Sequence, residues 1–269
     1  MAPEKILLKQ KAIKMDNHAN PPLSNPTLPG IQIIFENEDF IALNKPAGML
    51  TIPDRHDDKI SSLYKSLQQQ YEKIFIVHRL DKETSGIILF AKNEKTHKYL
   101  SQLFEHRGIE KYYTALILGS LQHKSGKIDE PIMEHPVTKG MMTINKKGKP
   151  STTDYEVLED FGIYSLVKFR LHTGRTHQIR VHTKYIGHPV ACDEIYGNGK
   201  PILLSSFKKK YKLSQHDEVE RPLLGRLALH SSELIFTGAD GVKHDLVAPL
   251  PKDMNAVLMQ LRKNRPQLG

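Results

Sequence analysis

Short apolar runs separated by polar or glycine-bearing turns dominate the chain, and their spacing predicts strands more often than helices. Residues 31–35 and 40–44 read as a strand pair around Glu36-Asn37-Glu38-Asp39. Lys45-Pro46-Ala47-Gly48 ends the second, because proline lacks a backbone donor and glycine permits a turn. Residues 74–77 and 87–91 read as buried strands, 111–118 as another, and 151–158 with 163–171 as an antiparallel pair. Residues 227–236 and 242–247 form a hairpin turned at Gly238-Ala239-Asp240-Gly241. Helical spacing is confined to 61–71, to 94–106 between an Asn93 cap and a Gly108 stop, to about 175–186, and to 251–263. Segment 128–150 reads as polar and loop-rich, and 197–225 as an excursion in which Lys208-Lys209-Lys210 and Lys212 are solvated charges. Strands with interspersed helices predict an α+β domain on a largely antiparallel sheet.

The polar segment between the runs at 74–77 and 87–91 reads His78-Arg79-Leu80-Asp81-Lys82-Glu83-Thr84-Ser85-Gly86. A charged loop held between two buried strands is where a rigid scaffold places chemistry. A protein-kinase catalytic loop is excluded: Leu80 precedes Asp81, no glycine-rich phosphate loop lies upstream, and no Asp-Phe-Gly follows. Three further blocks follow in order, Lys111-Tyr112-Tyr113-Thr114-Ala115, Gly174-Arg175-Thr176-His177-Gln178-Ile179-Arg180-Val181-His182, and Arg226-Leu227-Ala228-Leu229-His230-Ser231. With Asn44-Lys45-Pro46-Ala47-Gly48 upstream, these blocks resemble the RluA-like family of RNA pseudouridine synthases from about residue 31 to 261.

The resemblance implies the pseudouridine synthase fold, a mixed, mainly antiparallel sheet bent around a central RNA-binding cleft with flanking helices. It implies isomerisation of uridine in structured rRNA or tRNA, for which a stem-loop is the preferred target. That reaction breaks the bond from ring nitrogen-1 to the sugar, turns the uracil, and joins carbon-5 to the same sugar carbon. There is no redox step and no group transfer to a second molecule, so no cofactor and no metal are expected. The resemblance makes Asp81 the carboxylate at the ribose, as nucleophile or as base. Tyr113 matches its Lys-x-Tyr-x-Ala tyrosine, which would stack on the displaced uracil and help remove the carbon-5 proton.

A carboxylate in a closed cleft needs a cation to stay charged, and Arg180 is expected to face Asp81. On a helix His177, Arg180 and Lys184 share one face, whereas Arg175 points elsewhere and is assigned to phosphate or helix-start contacts. Both arginines binding phosphate is the alternative. His177 and His182 are five apart, which makes zinc ligation by that pair improbable, and His78, His177 and His182 read as structural or phosphate-facing. Arg79 either braces the gap left by an extruded nucleotide or pairs with Glu83. Lys45 and Lys111 complete the RNA-binding set with Arg79, Arg175 and His177, and Tyr112 reads as core. Two rival functions remain open: a non-catalytic RNA-binding protein on the same fold, and a glycosidase using Asp81 and Glu83 as an acid pair.

Charge agrees with a polyanionic partner, at a formal +9 and a pI of about 9.4. A single cysteine, Cys192, rules out an intramolecular disulfide and suits a reducing compartment, so a cytoplasmic location is expected. A monomer is expected as well, although no residue pattern reports the oligomeric state. No apolar run is long enough to span a membrane, and no signal or transit peptide is legible. Residues 1–30 read as a basic, proline-rich tail, too short for a separate N-terminal RNA-binding domain, with the catalytic domain over 31–269.

Overall fold

The computed structural model describes residues 31–54, 57, 60–213 and 218–265. The expected tail, 1–30, lies outside them, as does part of the lysine-bearing excursion. The chain begins with strands β1 (Gln32–Glu36) and β2 (Phe40–Lys45), a short helix α1 (Leu63–Gln68), strands β3 (Phe75–Ile76) and β4 (Ser85–Ala91), and helix α2 (Glu94–Glu105). Strands β5 (Glu110–Leu118), β6 (Ser125–Asp129), β7 (Ile132–Glu134), β8 (Met142–Ile144), β9 (Thr152–Asp160) and β10 (Tyr164–Leu171) follow. Helix α3 (Gln178–Tyr185), strands β11 (Leu229–Thr237) and β12 (Lys243–Val247), and helix α4 (Lys252–Lys263) complete the described chain.

Ten strands form one sheet in the order β1-β2-β4-β11-β5-β10-β9-β6, with β12 on β11 and β3 on β4. Among the described strands every pairing in it is antiparallel except β4 with β11. The α+β architecture expected from the pattern is present. Strand β4 shows why its sequence is an unbroken apolar run. Ile87, Leu89 and Ala91 pack on one face with Phe40, Ala42 and Leu100 of α2, while Ile88 and Phe90 pack on the other with Ile41, Leu43, Leu63 and Leu67 of α1. A strand covered on both faces alternates between two cores rather than between core and water.

The sequence pattern misleads in two places. Segment 128–150, expected as loop, holds the end of β6 and the separate β7–β8 hairpin. Its three-residue strands are too short to show a period; Ile132, Met142 and Ile144 instead gather around Val181 and Tyr196. Helix α3 starts at Gln178 rather than near 175, because His177 at its head is left-handed (φ 55°) and Gln178 Oε1 accepts from Arg175 N and Thr173 Oγ1, fixing 173–175 as a turn.

The parallel contact of β4 with β11 joins the two halves of the sheet through His230 opposite Ser85 and Ser231 opposite Gly86. A Cβ on Gly86 would stand 2.1 Å from the Ser231 carbonyl oxygen, and its φ is +115°, so only glycine fits. This accounts for the Thr-Ser-Gly and Leu-His-Ser sequences together. Tyr113 lies opposite Ser231 on β5 and Lys45 opposite Gly86 on β2, so four of the five sequence blocks meet on adjacent strands.

The loop before β4 is tied from the side by the residues after β2. Thr51 Oγ1 donates to Leu80 O and accepts from Leu80 N, and Gly48 N donates to Lys82 O. Lys45, expected to touch RNA, is instead completely buried, and its Nζ donates to Pro46 O, Met49 O and Lys82 O at 2.8–3.0 Å. A lysine after an Asn and before a Pro looks exposed in sequence; its stem is enclosed because β2 is covered on both faces. Lys45 therefore clamps the loop that carries Asp81. Burial pulls its ammonium down to about 8, opposed by the charges of Glu83 and Asp81. That folded value lies below the ordinary 10.5 of the unfolded chain, so between them the unfolded state binds more protons and stability rises with pH. Denaturant titrations over this window should show the native protein gaining on Lys45→Met by up to ~1.4 kcal/mol per pH unit. A stability difference that stays flat with pH would show that the amine does not titrate there.

Candidate active site

A cleft of about 520 Å³ opens between the β3–β4 loop, β5, the end of α2 and the turn leading into α3. Asp81 lines it with a side chain that is 26% exposed, on a loop closed by Thr84 N donating to Asp81 O. Glu83 does not line the cleft, which removes the geometric basis for an Asp81/Glu83 acid pair. Tyr113 reaches the same cleft from β5. Burial, with the Asp81 charge adding and the Ser231 hydroxyl opposing, pushes its phenol up to about 12, so the ring stands there protonated at neutral pH. Tyr112 faces the other way, as strand alternation requires, but it is half-buried rather than core: its hydroxyl donates to Glu110, and Lys168 Nζ sits 4.3 Å above its ring.

Arg180 lines the cleft too, yet its hydrogen bonds go to Asp193 rather than to Asp81. Its Nε and Nη2 donate to the two carboxylate oxygens at 2.7 and 2.8 Å. Asp193 is fully enclosed and also accepts from Ile195 N and Tyr196 N. Burial opposes its charge, but the bidentate guanidinium prevails and holds the carboxyl below its usual range. Arg180 feels Asp81 only through charge. The expected direct pair is thus replaced by a buried one, because Asp193 follows α3 closely in sequence and meets the guanidinium in a two-toothed geometry. Sequence reading missed Asp193; its one signal is an acid placed shortly after a buried helix of basic character.

The three histidines separate by role. Burial depresses His78 to about 3, its ring stacks on Phe104 at 4.3 Å, and Nε2 accepts from Leu89 N, so it is structural. His182 is enclosed between Thr153 Oγ1 and Glu130 O. His177 faces the cleft, with Nε2 3.8 Å from Asp81 Oδ2 and Nδ1 2.8 Å from the Tyr196 hydroxyl. The ring that was grouped with phosphate contacts is therefore the nearest nitrogen group to the carboxylate in the ion pairs of the described residues.

Arg79 is exposed at the rim and has no ion pair with Glu83 among the described residues. Lys111 and Arg175 line the far end with Arg107, a residue sequence reading passed over. Arg175 Nε donates to Pro150 O. The Lys111 ammonium has no hydrogen bond or ion pair with another described residue; burial, then the charges of Arg107 and Arg175, lower its pKa. Arg107 ends α2 in the left-handed region (φ 62°), where Gly108 N donates to Leu103 O. An L-residue there costs ~1 kcal/mol or more, and a cationic side chain rather than glycine occupies the position. Asp81 and Glu105 are the carboxylates in the lining, against Arg79, Arg107, Lys111, Arg175 and Arg180. Among the described residues no cluster of His, Cys, Asp or Glu could hold a metal ion, and no helix is long and apolar enough to cross a membrane.

Residues 39–185 match the family described as RNA pseudouridylate synthase. The chain is 38% identical over 238 residues to ribosomal large subunit pseudouridine synthase D of Nitrosomonas europaea, covering 86% of this chain and 65% of that one. It is 35% identical over 217 residues to the dual-specificity RNA pseudouridine synthase RluA of Vibrio vulnificus, covering 78% of this chain and 79% of that one. The fold resembles that of human RNA Pseudouridylate Synthase Domain Containing 4, with a TM-score of 0.65 at 22% identity over 86% of this chain and 92% of the other. The chain belongs to the RNA pseudouridylate synthase family, in its RluA-like branch, and so to a family of isomerases.

Proposed function

We propose that the protein isomerises uridine to pseudouridine within structured ribosomal or transfer RNA, with residues from 31 onward as the catalytic unit, working as a cytoplasmic monomer. The observation that carries this reading is a lone loop carboxylate, Asp81, sharing with a half-buried tyrosine, Tyr113, a cleft whose other lining charges are mostly cationic. A protein that only held RNA would gain nothing from a carboxylate aimed into a phosphate-binding cleft. Relatives named for the ribosomal large subunit and for dual specificity support the RNA class.

In this mechanism the target nucleotide is extruded into the cleft, and Arg79 at the rim braces the gap it leaves. Asp81 meets the ribose as nucleophile or base while the glycosidic bond breaks. The freed uracil turns against the ring of Tyr113. Because the phenol is protonated, Tyr113 serves first as a stacking surface. Lys111, Arg175 and Arg107 take a flanking phosphate: three neighbouring cations with no carboxylate pairing the lysine form an anion site. Arg180, bonded to Asp193, shapes the cleft wall and contributes charge at a distance.

Asp81→Asn should lower turnover by roughly 10³-fold or more with RNA affinity nearly unchanged, in assays free of metal, ATP and nicotinamide. Substantial residual turnover, or a strict need for any of those additives, would overturn the mechanism. Lys111→Met and Arg107→Met should each reduce the slope of log affinity against log salt by about 1. Slopes equal to the native one would remove these residues from the phosphate site. Arg180→Met strands a buried carboxylate and should cost ~3–5 kcal/mol of stability, of which Arg180→Met/Asp193→Asn recovers a large part in denaturant titrations. Full recovery of activity in that double variant would show that the cation at this position is dispensable to the chemistry.

A further inference from the structure

His177 occupies a position whose hydrogen bonds determine where its proton lies. Tyr196 Oη accepts from the backbone N–H of Met142 on β8 at 2.8 Å. The phenol's own proton is then left for the group on its other side, which is His177 Nδ1 at 2.8 Å. A neutral imidazole that accepts at Nδ1 carries its proton on Nε2. Nε2 is the nitrogen that faces Asp81 Oδ2, 3.8 Å away. The opposite tautomer would put a lone pair against a carboxylate and leave the tyrosine proton without an acceptor, so both ends of the chain of bonds select the same form. The phenol is held in turn by Arg180, 5.0 Å over its ring, and by Lys184 at 5.8 Å.

We propose that His177 is a positioning residue for Asp81, presenting an Nε2–H donor whose tautomer Tyr196 fixes from behind. The proposal rests on Asp81 being the reacting carboxylate. At 3.8 Å the pair lies beyond direct hydrogen-bonding reach, and catalytic contacts of this kind shorten when substrate fills a site. Once the contact has shortened, the donor binds one carboxylate oxygen and leaves the other free to meet the ribose. Burial holds the imidazole below its ordinary range, with Asp81 and Asp193 opposing and Arg180 and Arg79 reinforcing, so the ring works as a neutral donor. The left-handed backbone at His177, φ 55°, is what turns the ring back toward the loop of Asp81 instead of along α3.

The backbone also supplies the control. Asparagine tolerates the left-handed region well, so His177→Asn keeps the turn while its amide ends near the Nδ1 position and supplies no donor toward Asp81. His177→Gln places an amide N–H close to the Nε2 position. The measurement is tritium release from RNA carrying carbon-5-tritiated uridine, prepared from cells lacking this gene, in single turnover at saturating enzyme. His177→Asn should be roughly 10- to 100-fold slower with RNA affinity within about threefold of the native protein. His177→Gln should recover most of that rate, and Tyr196→Phe should fall between native and His177→Asn. A native rate for His177→Asn, or a loss confined to RNA affinity, overturns the proposal and makes the ring a phosphate contact. A slow His177→Asn that glutamine fails to rescue overturns it as well. Asp81→Asn runs in the same series: if it is inactive while His177→Asn is fully active, only this inference fails, and if Asp81→Asn is active the functional reading itself fails.

Discussion

The site depends on a seam two residues long. Strand β11 meets β4 in parallel only at His230 with Ser85 and Ser231 with Gly86, and it continues antiparallel along β5. Asp81 lies just before β4, and Tyr113 lies opposite Ser231 on β5, so the seam sets how far the carboxylate stands from the ring. Parallel pairs have slanted bonds and are slightly weaker per residue than antiparallel ones. Here the contact is reinforced by a backbone approach that excludes any side chain at Gly86. Ser85 Oγ also lies 2.9 Å from His230 Nδ1, and burial holds that imidazole near 4 and hence neutral.

Around this seam charge is handled in two ways. Structural charges are satisfied locally: the enclosed Lys45 ammonium by three carbonyl oxygens, the buried Arg180 by Asp193, and the half-buried Arg226 by Asp253 at the start of α4. In the cleft the Lys111 ammonium is left without such a partner among the described residues. The five sequence blocks mix both kinds. Arg226 in the last block and Lys45 in the first serve the fold, although either could pass for a phosphate ligand in the sequence.

What was legible followed from periodicity and local order. Strand β4, with apolar residues on both faces, and helix α2, with Asn93 accepting from Thr96 N, stood near their expected bounds. That Asp81 and Tyr113 line one cleft was legible because the blocks that hold them came in order. What escaped depends on contacts between segments far apart in the chain or on backbone that leaves the regular regions. The β7–β8 hairpin has too few residues for a period, and the start of α3 is displaced by one left-handed histidine. Asp193 lies outside every block, and Arg107 occupies a position at which glycine is the usual signal. Helical spacing did place His177, Arg180 and Lys184 together, but the group they converge on is Tyr196 rather than Asp81 alone.

Arg107 has a consequence for how this protein tolerates improvement. At the end of most helices, replacing a left-handed L-residue by glycine or asparagine relieves backbone strain and raises stability. At this position the same change deletes a cation from the cleft. Selection for heat resistance alone would favour it, and, with the phosphate role proposed for this cation, selection for RNA turnover would oppose it, so stability and activity would pull in opposite directions at one surface residue.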